Sequence, residues 1–173
     1  MRPLSGASIA LALLATTAAA APRGKAHFSE GRLIGTLEMP RLRISVPVRH
    51  GTTEKTLVRA VGHIPGTALP DEPGNVGLAG HRTSHFEPLR DVRNGDEIRL
   101  TTSDGAYVYA VASTEIVDPS AVRVLRTDGH AMLTLVTCWP FDWVGHAPKR
   151  FIVRAHLVDS PFAAPPPAKP ATN

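Results

Sequence analysis

Between Leu33 and Val158 the apolar residues recur every second position in short runs, and proline, glycine and aspartate break the runs. Alternation with period two sets one face of a strand against a core and the other toward solvent. It predicts strands over Thr36–Met39 and Ile44–Val48, on either side of Pro40-Arg41. Asn75–Ala79 is a further run and ends at Gly80. Glu97–Thr102 and Tyr107–Val117 flank Ser103-Asp104-Gly105, a hairpin signal. Met132–Thr137 and Arg150–Leu157, rich in Val, Ile, Leu and Thr, are the last two. Helical spacing is confined to Thr53–Val61, with Thr52 or Thr53 as its cap, and to Ser84–Val92. Seven or eight short strands with short helices in the connections predict a mainly β fold, a closed or nearly closed barrel.

The two ends of the chain break this pattern. Met1–Pro22 carries one early positive charge, Arg2, then an apolar stretch from Ile9 to Ala15 and a run of alanines. A short apolar core followed by small residues is the pattern of a secretory signal, and residues 3–22 are also long enough to anchor a chain in a membrane. The expected organisation is therefore 1–26 as signal peptide or N-terminal membrane anchor, 27–158 as the folded body, and 159–173 as a Pro/Ala-rich disordered tail. Either reading of the first segment places the body outside the cytoplasmic membrane, in the cell envelope.

Composition narrows the function. With 14 Gly and 16 Pro in 173 residues the chain is no helical bundle, and 43% hydrophobic residues exclude wholesale disorder. The net charge of +4 owes three of its units to Arg2, Arg23 and Lys25. Basic and acidic residues are interspersed in the body in nearly equal numbers, so no nucleic-acid partner is expected. A single cysteine excludes an internal disulfide framework and a multi-cysteine zinc site. No metal, nucleotide or other cofactor signature is present.

The chemistry concentrates around that cysteine. In Thr134-Leu135-Val136-Thr137-Cys138-Trp139-Pro140-Phe141 a strand runs into Cys138, and Pro140 forbids it to continue. The next strand starts at Arg150 after the loop Trp139–Lys149. If the two strands are antiparallel neighbours, Cys138 and Arg150 meet at one rim, where a guanidinium favours a thiolate and stabilises an oxyanion. His81 follows the run Asn75–Ala79 through Gly80, again at a strand's end, and an imidazole beside a thiol can act as general acid to a leaving amine. His81 and His85 also have the i, i+4 spacing of a zinc pair, which Cys138 or His146 could extend. The glutamate that a metalloprotease helix needs after its first histidine is missing.

The segments GHRTSHFEPLRDVRNGDEIRL, TLVTCWPF and APKRFIVRA, in that order, strongly resemble the bacterial sortases, most closely those of class D. The resemblance runs from about Leu33 to Leu157. It implies an eight-stranded β-barrel with short helices in the connections and a cysteine transpeptidase located outside the cytoplasmic membrane. On matching positions it implies Cys138 as nucleophile, His81 as the histidine and Arg150 as the arginine, with no cofactor. The implied partners are substrate proteins carrying a C-terminal LPXTG-like sorting signal and an amine-bearing acceptor in the cell envelope. Trp139 stands where class D is expected to carry tyrosine, and Thr83-Ser84-His85 where an acidic residue and aromatics are common; both departures bear on substrate preference. The residue pattern by itself leaves two other readings open. One is an exported cysteine peptidase that releases the acyl chain to water, and the other a non-enzymatic exported β-barrel binding module whose cysteine is merely buried.

Overall fold

A computed structural model describes residues 28–127 and 129–161. The expected signal or anchor, 1–26, and the tail beyond 161 lie outside them. Eight strands form: β1 Leu33–Met39, β2 Ile44–His50, β3 Val61–His63, β4 Asn75–Ala79, β5 Glu97–Thr102, β6 Gly105–Val117, β7 Met132–Trp139 and β8 Lys149–Asp159. They close into a barrel in the order β1-β2-β3-β4-β7-β8-β6-β5, with β5 pairing back to β1. The β2–β3 and β4–β7 pairs are parallel, and the remaining pairs are antiparallel.

The period-two pattern sorts side chains as the sequence predicts. Leu37, Val48, Leu78, Leu100, Leu133, Leu135, Val153 and Ala155 are fully buried and belong to one core inside the barrel. A smaller cluster lies on the other face of the sheet, where Val117 and Ile152 pack with Val124 and are joined by Ala121, Leu125 and Val136. Val124 sits in a 3-10 helix, Val122–Leu125, that the sequence pattern does not announce. This cover is stitched to the sheet by polar groups. Thr134 Oγ1 donates to Asn75 Oδ1 at 2.9 Å, and Asn75 Nδ2 donates to Val124 O at 3.2 Å. All of these are buried, so the pairing satisfies groups that would otherwise cost a few kcal/mol each.

Two expected helices are corrected. The segment Thr53–Val61 gives only the short α1, Glu54–Leu57, and Val61–His63 becomes strand β3 instead. Closing the barrel requires a strand between β2 and β4, and the ladder bonds of β3 to both neighbours outweigh a weak local helix preference. Gly62 is what lets the strand pass, since a Cβ there would sit 2.3 Å from the Gly51 carbonyl oxygen. The segment Ser84–Val92 forms a 3-10 helix over Glu87–Asp91. Its tighter winding brings Phe86 and Leu89, three apart and both fully exposed-surface-free, onto the same side and into the core.

Outside the ladders, the bonds of Arg41 and Asp96 tie the β1–β2 turn to the start of β5. Nε and Nη2 of Arg41 each donate to one carboxylate oxygen of Asp96 at 2.5 Å, and Nη2 also donates to Asp91 O at 2.6 Å. The Arg93 N–H donates to Asp96 Oδ2 at 2.8 Å. The hydrogen bonds from Arg41 hold the Asp96 carboxyl below its ordinary value of 3.8. A depressed carboxylate stabilises the folded state above its ordinary value, and the contribution is lost as pH falls through the depressed one. Asp96→Asn should therefore lower Tm by a few degrees at neutral pH. In melts at successively lower pH, the gap between variant and parent should close once Asp96 itself is protonated.

Candidate active site

Strand β7 lies between β4 and β8, and each neighbour fixes its carboxyl end. On the β8 side the antiparallel register sets Cys138 directly opposite Arg150 and Trp139 opposite Lys149. On the β4 side the parallel register pairs Ala79 with Val136. It continues past the end of β4, because Gly80 N donates to Val136 O at 3.1 Å and Thr137 Oγ1 donates to Gly80 O at 2.8 Å. His81 follows Gly80 directly, just past the end of β4 and on the side of β7 where Cys138 stands at the strand's end. Alternation puts Cys138 on the face of Val136 and Thr134, outside the barrel, and Arg150 on the face of Ile152. The three residues singled out in the sequence thus lie at the ends of three adjacent strands, with Cys138 and Arg150 directly opposite each other on the outer face. The Cys138 thiol is free and half-buried, Arg150 is half-buried, and the His81 side chain is 35% exposed.

Local structure explains each position. Strand β7 continues through Cys138 to Trp139, two residues beyond the expected end at Thr137, and β8 starts at Lys149, so the loop between them is Pro140–Pro148. Beyond Gly80 the chain turns sharply, with His81 O accepting from Ser84 N at 3.3 Å and Phe86 N at 3.1 Å. Phe86 lies against Gly80, where a Cβ would come 2.7 Å from its ring. The Arg150 guanidinium donates through Nη1 to Lys149 O at 3.0 Å and Ala147 O at 3.3 Å. The two other cations of β8 are engaged elsewhere. Lys149 Nζ pairs with Asp118 at 2.7 Å, and Arg154 Nη2 reaches Met132 Sδ at 3.4 Å.

Several contributors escape sequence reasoning. Glu54 of α1 places Oε1 3.6 Å from His81 Nε2, although 27 positions separate them in the chain. Trp139 stacks on Phe151 at 5.8 Å and meets Phe141 edge-on at 5.5 Å, and the three pack against the barrel core on the face opposite Cys138. Only the proximity of two aromatics to Cys138 in TLVTCWPF hinted at this cluster. The zinc spacing is not realised as a helical pair, because residues 81–85 form turns. Among the described residues no group of three or more His, Cys, Asp or Glu is placed to hold a metal ion.

A half-buried free thiol opposite an arginine, on the outside of a closed barrel, is an arrangement able to support acyl chemistry at sulfur. The chain belongs to the sortase family, whose domain model matches residues 37–158. It is 36% identical over 134 residues to Sortase D of Bacillus subtilis, covering 76% of this chain and 68% of that protein. To Sortase SrtE1 of Streptomyces coelicolor it is 37% identical over 137 residues, covering 68% of this chain and 39% of the relative. Among solved structures, a Sortase D5 transpeptidase of Clostridium perfringens superposes with a TM-score of 0.69 at 28% identity, covering 77% of this chain and 83% of that one. Sortase A of Corynebacterium diphtheriae, in a lid mutant, gives 0.70 at 30% identity, covering 76% and 73%. The protein is accordingly a sortase-type cysteine transpeptidase, and its partners are substrate proteins that carry sorting signals.

Because Phe86 leaves no room at Gly80, Gly80→Ala should displace the turn that carries His81. The expected cost is about 1–3 kcal/mol of stability, the range for overpacking a filled site, together with reduced turnover. Thermal melts and steady-state kinetics on the one variant check both.

Proposed function

We propose that Cys138 is the nucleophile, His81 the acid to the departing amine, and Arg150 the oxyanion donor of a transpeptidation on an LPXTG-like motif. The observation that supports these roles is the register that sets Cys138 opposite Arg150 and lays the end of β7 beside Gly80, which His81 follows. Sulfur of Cys138, as thiolate, attacks the carbonyl carbon of the motif's threonine. Arg150 faces Cys138 across the ladder, where a planar guanidinium can direct two N–H donors at the tetrahedral oxyanion. The C–N bond then breaks, and the leaving amine takes its proton from the His81 imidazolium, which leaves a thioester on Cys138. An amine from a second molecule attacks that thioester and passes its proton to His81, the C–S bond breaks to return the Cys138 thiolate, and the acyl chain leaves as a new amide. Thioesters react readily with amines, which suits a thiol to transfer. Supported by the charge and hydropathy of residues 1–26, the reading places this chemistry outside the cytoplasmic membrane, with an amine of the cell envelope as acceptor.

Incubation of the protein with an LPXTG-type peptide and a free amine tests the reaction. Mass spectrometry should find an acyl adduct on Cys138 and an amine-dependent ligated product. A product formed only by water would replace transfer with hydrolysis, and no adduct would overturn the motif. Cys138→Ala should fold and form neither species. Arg150→Lys should cut turnover by about 10²–10³, the range for loss of one oxyanion donor. His81→Ala should lose turnover while His85→Ala keeps most of it, measured in the same assay.

A further inference from the structure

Arg82 takes no part in the chemistry above, yet it joins two parts of the site. Its Nη2 donates to Trp143 O at 2.6 Å and to Gly145 O at 3.1 Å. Its Nε is buried and has no acceptor among the described residues, so the guanidinium is inserted against the protein and not held out in solvent. Trp143 and Gly145 belong to the Pro140–Pro148 loop, and so does Ala147, whose carbonyl accepts from Arg150 Nη1 at 3.3 Å. One loop therefore offers its carbonyls to two guanidinium groups, one beside His81 and one facing Cys138.

Phe141 buries the start of that loop in the core, but the stretch after it has few contacts. Asp142 through His146 are exposed, and Val144 is 95% exposed. Trp143 Nε1 donates to His146 O at 3.0 Å, a bond internal to the loop. Asp142 pairs with Arg90 at 3.0 Å, but its side chain is 86% exposed, where such pairs contribute little. Arg82 thus supplies the guanidinium bonds to the exposed middle of the loop, at Trp143 and Gly145, and the planar guanidinium can reach two carbonyls where an ammonium would serve as a point donor.

We propose that Arg82 is a positioning residue for the transpeptidation: it clamps the β7–β8 loop so that the Ala147 carbonyl holds the Arg150 guanidinium facing Cys138. This rests on the roles proposed above for Cys138 and Arg150. Arg82 acts through Arg150 and touches no reacting atom. Releasing it lets the loop drift and Arg150 with it, and a misplacement of about 1 Å in a catalytic group costs up to about a hundredfold in rate.

The test is a double-mutant cycle on thioester formation, with Arg82→Gln, Arg150→Lys and the double variant. Arg82→Gln should slow the step about tenfold to a hundredfold with KM nearly unchanged. In the Arg150→Lys background the same change should cost less than about threefold, because the group it positions is already lost. Arg82→Lys should fall between parent and Arg82→Gln, and it serves as the variant of choice if Arg82→Gln does not fold. Hydrogen exchange over residues 141–148 should speed up in Arg82→Gln and leave β7 and β8 unchanged. Full multiplication of the two effects in the double variant overturns the route through Arg150. An Arg82→Gln enzyme at parental rate, with Arg150→Lys impaired, overturns the clamp alone. A parental rate for Arg150→Lys overturns the oxyanion role itself, a failure distinct from that of the clamp.

Discussion

The site depends on how the last residues of β7 are pinned from both sides at once. On one side Cys138 faces Arg150 through an antiparallel ladder, and on the other Val136 and Thr137 hold Ala79 and Gly80 through a parallel ladder that continues into a side-chain bond. A slip of one residue in either ladder would turn Cys138 to the other face of the sheet. The slip is resisted because Leu133 and Leu135 would leave the core at the same time, where both are fully buried. The energy that fixes the thiol's neighbours is therefore spread along the strand as hydrophobic burial, at about 1.5–3 kcal/mol for each large side chain.

This arrangement separates stability from chemistry. The inner face of the barrel is filled with aliphatic and aromatic side chains, whereas the outer face of β4, β7 and β8 is divided between two uses. Toward the start of β7 it is closed by the 3-10 helix Val122–Leu125 and by the buried pair of Asn75 and Thr134. Toward its end it opens at Cys138 and Arg150, both half-buried. A thiol on a rigid strand, sheltered in part but not enclosed, can be reached by an extended peptide while its neighbours stay in place.

The connections around the opening complete the site from distant parts of the chain. Glu54 comes from α1, and the carbonyls that hold Arg150 come from Ala147 and Lys149. Lys149 is drawn off to Asp118, which leaves the position facing Cys138 to a guanidinium. Cationic residues adjacent in sequence are thus separated in role by the alternation of the strand and by their separate partners.

Period two, turn residues and a proline after the only cysteine were sufficient for most of the strands and for Cys138 at a strand's end, because these are local constraints that act within a few residues. The motifs around His81, Cys138 and Arg150 were legible for the same reason, each being short and contiguous. The chain did not announce β3, whose Val61–His63 is too short to show a period and exists because β2 and β4 need a strand between them. Nor did it announce the helix Val122–Leu125, which is held by burial of Val124 against Val117 and Ile152. The pairing of Cys138 with Arg150, conditional in the sequence on antiparallel neighbours, and the grip of Arg82 on the loop were decided by the tertiary structure. They follow from which strands become neighbours, and that is settled by closing the barrel over a shared core.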